Sequence, residues 1–134
     1  MIPTLSAEAI EQGLRGYLAA VGDRLGIGLE SCAVDLGPPL SAYLAVDQRL
    51  PDHPDRDAAL LWDERHGWSV AVETHSGEDL IVVGYLGPDP LPRPDAVARF
   101  LRDAARGARC RTDPPDADPD ALDRLVDYRA VALT

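Results

Sequence analysis

The sequence predicts an α+β domain: an N-terminal helix, then an antiparallel meander of four or five strands, then one or two C-terminal helices. Residues 58–75 contain two runs of strand-forming residues around a short polar loop that ends at Gly67, which indicates a β-hairpin. Apolar residues recur at helical spacing before and after this region. Strands joined by short turns pair antiparallel, because a parallel pair needs a long crossover.

The first element is a helix over about Ser6 to Leu25, with Ser6 as its N-cap. One face of this helix is apolar and consists of Ile10, Leu14, Tyr17, Leu18, Val21 and Leu25. Gly13 and Gly16 interrupt the helix, and each costs about 1 kcal/mol relative to alanine. We therefore expect a strand or another helix to cross closely at these glycines.

The hairpin carries the two tryptophans of the chain, Trp62 and Trp68. A loop at 65–67 would place Glu64 opposite Trp68. This register gathers Leu60, Trp62, Trp68, Val70 and Val72 on one face and Leu61, Asp63, Ser69, Ala71 and Glu73 on the other. We expect the helices to pack on the face that carries the indoles, because a slip of one residue would mix the two sets.

Three further strands are expected, at Leu29–Leu36, Ala42–Asp47 and Leu80–Leu86. The last is apolar on both faces apart from Gly84, a pattern typical of a central strand that is covered on both sides. A connector with a proline at every second position then leads to a helix that begins near Pro94. We divide the chain into a single α+β domain (1–111), a Pro/Asp linker (112–119) and a C-terminal helical segment (120–134).

Composition and charge limit the partners. No apolar run approaches the roughly 20 residues of a membrane helix, and the start of the chain lacks a secretory pattern, so we expect a cytoplasmic protein that binds no membrane. The formal net charge is −10, with thirteen arginines and no lysine, which argues against nucleic acid as a partner.

The two cysteines indicate reduced thiols. A row of arginines at 99–111 is interpreted as a solvated helix face, with an anion or acidic-partner site as the alternative.

Three segments carry a resemblance to a known family: SAYLAVDQRLP (41–51), ALLWDERHGW (59–68), and YLG (85–87) with the proline-punctuated stretch that leads into DAVARFL (95–101). In these segments the chain resembles a family of small uncharacterised actinobacterial proteins, classified only as a domain of unknown function. The resemblance covers about residues 13–107. It implies no activity, ligand or catalytic residue.

Two groups of residues could carry acid–base or metal chemistry. Glu73 and His75 share the polar face of the hairpin and could act as a general acid and base, with a solvated strand face as the alternative. His53, Asp55 and Asp57 alternate in a loop and could hold one ion, but three ligands around a stiff Pro54 favour a loop that caps the end of the sheet. We therefore expect no metal and no cofactor.

Two further groups could bind a ligand or a partner. Glu64, Arg65 and His66 project from the hairpin tip, where exposed groups on a rigid scaffold suit recognition; plain turn chemistry is the alternative. Trp62 and Trp68, with Tyr43 and Tyr85 nearby, could line a ligand pocket or a dimer interface, or could simply form the core.

No nucleophile, base and orienting group can be placed together from the sequence. We therefore expect a non-enzymatic binding or regulatory module that recognises a protein partner or a small molecule, as a homodimer. The alternative is a small enzyme (a cyclase, isomerase or hydrolase) with a pocket lined by Trp62, Trp68 and Tyr85 and with Glu73 or His75 as its acid–base group. The charge also permits an acidic mimic of nucleic acid, but no run of like charges lies on one face.

Overall fold

A five-stranded antiparallel sheet with helices on one side makes up the part of the chain that the computed structural model describes, residues 6–74, 76 and 79–129. The elements in chain order are α1 (Ala7–Leu25), β1 (Cys32–Asp35), β2 (Ser41–Ala45), β3 (Ala58–Asp63), β4 (Gly67–Glu73), β5 (Leu80–Tyr85), α2 (Pro94–Ala105) and α3 (Ala121–Val126). The strands lie in the sheet in sequence order. The predicted α+β meander is therefore confirmed, with five strands. None of the helices among these residues has the length and apolar content needed to cross a bilayer.

The predicted first helix is confirmed together with its cap. The Ser6 side-chain oxygen accepts a hydrogen bond from the N–H of Ala9 at 3.0 Å, and the helix ends where Gly26 takes a left-handed φ of 75°. A Cβ at Gly13 would collide with the backbone carbonyl of Leu125 in α3. The close crossing expected at the glycines of α1 is therefore present at Gly13, and α3 is the element that crosses there.

The predicted hairpin is present, but its register was wrong by two residues. Asp63 pairs with Gly67 and Trp62 with Trp68, so the loop is 64–66. The reason lies in Asp63, whose carboxylate accepts hydrogen bonds from the N–H groups of Arg65 and His66, both at 2.7 Å, and so holds the turn one residue earlier than expected. A shift of two residues keeps every side chain on its predicted face.

The face that carries the indoles packs against the helices, as predicted. Its core residues include Leu44, Leu60, Trp62, Trp68, Val70 and Val72 from the sheet, Leu14, Tyr17, Leu18 and Val21 from α1, Val97, Phe100 and Leu101 from α2, and Leu125 from α3. The opposite side, here called the open face, has no helix packed on it among the described elements. The described part of the chain is thus a two-layer structure with one sheet face that no described helix covers.

The prediction that β5 is a central, covered strand was wrong. β5 pairs only with β4 among the strands and forms one edge of the sheet, and four consecutive residues, 80–83, are exposed. An apolar run on both faces is typical of a central strand, but no later segment of the described chain forms a strand beyond this one. The run therefore lies at the edge.

Helix α3 is bonded to the connector between β5 and α2. The guanidinium of Arg124 in α3 donates to the Asp89 carboxylate at 2.8 and 2.9 Å, to Asp118 at 3.0 Å and to the carbonyl of Leu91 at 2.9 Å. Asp118 belongs to the predicted linker 112–119, so part of that segment contacts the body of the protein. Residues 130–134 of the predicted helical segment lie outside the described residues.

Candidate functional site

The hairpin tip is held by two acidic side chains. Besides capping the turn, Asp63 contacts the Nδ1 of His66 at 3.3 Å. Glu64 accepts a hydrogen bond from the N–H of Leu40 at 2.8 Å and donates its own N–H to the Leu40 carbonyl at 3.0 Å. Arg65 is exposed, and the ring of His66 lies edge-on to Tyr85 with 6.4 Å between centroids. The predicted recognition residues Arg65 and His66 therefore sit on a fixed loop.

Both indoles lie in the core rather than at a surface. The side chain of Trp62 is 2% exposed and that of Trp68 is fully buried. Trp62 Nε1 donates to the carbonyl of Pro90 at 2.7 Å, and Trp68 Nε1 donates to the hydroxyl of Tyr17 at 3.0 Å. Each ring therefore has its one polar group satisfied inside the protein, as a buried tryptophan requires.

The predicted acid–base residue Glu73 lies on the open face, on the opposite side of the sheet from the indoles. Burial raises the pKa of the Tyr43 hydroxyl, and the negative charge of Glu73 raises it further, which places Tyr43 and Glu73 in one electrostatic neighbourhood. Tyr85 is also on the open face, opposite Ser69. His75 lies outside the described residues. The enzyme alternative placed Glu73 or His75 in a pocket with the two indoles, and the sheet separates Glu73 from both rings.

The loop that carries His53, Asp55 and Asp57 is organised by an arginine. Arg49 donates to the Asp57 carboxylate at 2.9 Å and to the carbonyl of Pro54 at 3.0 Å. No group of three or more metal-ligating side chains is assembled in the described part of the chain. This loop immediately precedes β3.

The open face carries a shallow groove of about 360 Å³. The side chains of the open face that line it are Ala33, Asp35, Ser41, Tyr43, Leu61, Asp63 and Leu80. Small residues in the middle of the sheet, Ala59 and Ala71, are nevertheless buried. Tyr43, Leu61 and Leu80 give the groove an apolar character, and its acidic groups lie at one end of β1 and β3.

The edge formed by β5 is the most exposed apolar surface of the described residues. Six large apolar side chains in this part of the chain are exposed, and four of them are consecutive on this strand: Leu80 at 37%, Ile81 at 50%, Val82 at 40% and Val83 at 37%. Leu80 also lines the groove of the open face. The exposed edge and the groove therefore form one continuous surface.

The peptide groups of this edge alternate in direction. The N–H of Thr74 donates to the carbonyl of Asp79 at 3.0 Å, so the peptide groups of Asp79 point toward β4. In an antiparallel ladder every second residue points the other way. Leu80 and Val82 therefore direct their N–H and C=O groups outward, while Ile81, which pairs with Val72, directs its own inward. A register shift between Val82 and Gly84 makes Val83 an extra residue and changes the alternation, so Tyr85 also points outward.

The other end of β5 is already covered. The N–H of Tyr85 donates to the carbonyl of Arg111 at 2.8 Å, and the N–H of Arg111 donates back at 3.3 Å. The side chain of Cys110 packs against Gly84, in the place that a Cβ would take. Within β5, the stretch 80–83, called the open edge below, has no neighbouring strand on its outer side among the described residues.

A family model for a family of unknown function, DUF6292, matches residues 17–103. The chain belongs to this family. The resemblance inferred from the sequence motifs is thereby confirmed for the family and for its unknown function. The DUF6292 match begins at Tyr17 and ends at Asp103, so it contains the whole sheet with its open edge but neither Arg111 nor α3. No curated protein and no solved structure matches the chain.

Sequence reasoning missed the open edge as a candidate site. The signal was present, because 80–83 is an uncharged apolar run on the last strand before a connector in which prolines forbid ladder pairing. A strand that is not followed by another paired strand is a candidate for the edge of the sheet, even when both of its faces are apolar.

Proposed function

We propose that this member of the family is a non-enzymatic binding module that recognises a protein partner by strand pairing along the open edge. The observation that carries the proposal is the run of four exposed apolar residues beside outward-pointing peptide groups. Natural proteins usually protect such edges with charges, prolines, β-bulges or a covering segment, and here the register shift lies beyond Leu80 and Val82. Here Arg111 covers Tyr85 and leaves 80–83 free, the arrangement that suits addition of a strand from a partner.

The partner we propose is a second copy of the chain, since the open edge is complementary to itself. An antiparallel pair with its two-fold axis at Ile81 would place Leu80 of each copy opposite Val82 of the other. Both residues direct their peptide groups outward, so this register satisfies them as hydrogen-bonded pairs. A register centred closer to Tyr85 would meet Arg111, which already occupies that position.

Charge supports the same register. The second copy's Asp79 would lie opposite Val83, two strand positions from the place that Arg111 takes beside Tyr85. At a rise of about 3.3 Å per residue, the two backbones would be roughly 7 Å apart, within reach of an ion pair. Symmetry would form this contact twice. Neither Asp79 nor Arg111 makes an ion pair with another described residue.

We prefer a binding role to the enzyme alternative because the sheet separates Glu73 from the indoles that were to share its pocket. We also propose a cytoplasmic location. Both cysteines, Cys32 and Cys110, are free thiols, and burial raises the pKa of each thiol. Such unreactive thiols suit a reducing compartment.

Sedimentation velocity over a concentration series tests the self-pairing. We expect a monomer–dimer equilibrium for the wild type, loss of the dimer in Ile81→Lys, and retention of the dimer in Leu36→Lys. The matched control replaces Leu36, which is 54% exposed against 50% for Ile81 and directly follows β1, the opposite edge strand of the sheet. A wild type that remains monomeric at about 1 mM, where an association of roughly 4 kcal/mol would be visible, would overturn the proposal. Equal loss of the dimer in both variants would place the interface elsewhere.

A further inference from the structure

Arginines are concentrated around α2 in a protein that is strongly acidic as a whole. Two clefts flank this helix, and together they are lined by Arg24, Arg99, Arg102, Arg106, Arg109 and Arg111. None of these six side chains forms an ion pair or a hydrogen bond with another described residue. Acidic side chains outnumber arginines by 23 to 13 in the chain. A region in which six arginines have no carboxylate partner therefore requires a structural or functional explanation.

One of the two clefts has a structural cause for its charges. Arg24 lies in the last turn of α1, Arg102 lies in the last turn of α2, and Arg106 is the C-cap of α2. Cations at these positions are stabilised by the partial negative charge of the helix C-terminus. The helix ends therefore account for the arginines of this cleft without a ligand.

In the other cleft, helix C-termini do not account for the arginines. Arg99 lies in the middle of α2, while Arg109 and Arg111 follow the helix in the segment that covers the end of β5. The cleft has a volume of about 290 Å³ and is also lined by Tyr85, Asp103 and the apolar side chains of Leu86, Ala96, Phe100 and Ala104. Backbone hydrogen bonds to Tyr85 fix the position of Arg111.

We infer that this second cleft, the arginine cleft, binds a small organic molecule that carries a doubly charged anionic group. Three guanidinium groups and one carboxylate give the cleft a net charge of about +2, which a phosphate monoester or a dicarboxylate would neutralise. Guanidinium groups bind both kinds of anion through paired hydrogen bonds. The apolar wall beside the arginines would contact the body of the ligand.

Size and overall charge favour a small ligand over a polyanion. Ligand pockets usually have volumes of about 300–1,000 Å³, and the arginine cleft lies at the lower limit. A long anionic chain would extend beyond the cleft toward a protein whose net charge is −10, and would be repelled. A compact dianion would contact only the local arginines. The arginine cleft shares Arg111 with the proposed self-pairing, but no residue of the stretch 80–83 lines it, so a variant at the open edge can separate the two proposals.

Two-dimensional amide NMR of the labelled full chain tests the inference with phenyl phosphate and phthalate as the two anionic probes and benzyl alcohol as the neutral one. We expect saturable shifts at the amides of Arg99, Arg109 and Arg111 with either anion, and a tighter fit of one anion would identify the preferred head group. Benzyl alcohol is expected to produce no saturable shift. Absence of saturable shifts with both anions, or equal binding of the neutral probe, would overturn the inference.

Two variants separate a built site from general charge attraction. Arg99→Gln is expected to weaken binding of the preferred anion about tenfold, the loss typical of one charge-assisted hydrogen bond. Arg102→Gln removes the same charge from the same helix but outside the cleft, and is expected to change the affinity less than about twofold. Equal weakening in the two variants would contradict a site in the arginine cleft. Binding that persists in Ile81→Lys while that variant is monomeric would show that the anion site does not depend on self-pairing.

Discussion

Replacing Tyr17 by phenylalanine removes one hydroxyl group from the middle of the core. This hydroxyl accepts a hydrogen bond from Trp68 Nε1 at 3.0 Å and donates one to the carbonyl of Pro92, while the Tyr17 side chain is fully buried. Burial raises the pKa of Tyr17 well above its usual range, so the phenol keeps its proton and can donate. One side chain thus joins α1 to the sheet and to the proline connector.

The cost of the substitution follows from the two groups that lose their partner. A buried donor or acceptor without a hydrogen bond costs about 1–3 kcal/mol, so the loss at two groups in Tyr17→Phe should lower the free energy of unfolding by roughly 2–6 kcal/mol. For a chain of this size that corresponds to a decrease in Tm of about 10 °C or more. Urea unfolding followed by circular dichroism, together with a thermal melt, measures both quantities.

Tyr43→Phe is the matched control, because this tyrosine lies half-buried on the open face and its hydroxyl has no hydrogen bond to a described residue. We expect its free energy of unfolding to stay within about 0.5 kcal/mol of the wild type. A loss below about 0.5 kcal/mol in Tyr17→Phe, or equal losses in the two variants, would refute the claim that the Tyr17 hydroxyl links α1 to the sheet and the connector.

Three further predictions follow from the contacts of the fold. Gly13→Ala should destabilise the protein by about 1–3 kcal/mol in urea unfolding, although alanine favours helices, because the methyl group would meet the backbone of α3; a stabilised variant would contradict this crossing. Gly84→Ala should displace Cys110 and speed its reaction with a disulfide reagent, whereas an unchanged rate would show that the thiol does not pack there. The hydrogen bond from Arg124 lowers the pKa of Asp89, so the stability it contributes is present above the unfolded pKa of about 3.9 and is lost as the pH falls through the folded value. Asp89→Asn should therefore be less stable than the wild type at neutral pH, with a difference that shrinks below about pH 4; a difference independent of pH would contradict the ion pair.

The two faces of the sheet could be predicted from the sequence, because alternation along Leu60, Trp62, Trp68, Val70 and Val72 depends only on the period of a strand. The register could not, since it depends on the hydrogen bonds that the Asp63 carboxylate makes inside the turn. Standard loop geometry alone favoured the loop 65–67, and the side-chain capping that decides for 64–66 is a local contact without a periodic signal.

The candidate sites show the same limit. The apolar run 80–83 was interpreted as a buried central strand. Composition alone does not distinguish such a strand from an apolar edge strand. The arginines at 99–111 suggested an anion site as an alternative, but which of them converge depends on how the segment around Arg111 crosses the end of β5. Such long-range contacts have no signature in local spacing.

Amide hydrogen exchange at Leu80 and Val82, followed by NMR over a range of protein concentrations, tests the central claim most directly. If these outward N–H groups pair with a second copy, their exchange should slow as the concentration rises. The N–H of Tyr85, already bonded to Arg111, should be protected at every concentration. Rapid exchange of Leu80 and Val82 at all concentrations, with Tyr85 protected throughout, would contradict pairing along β5.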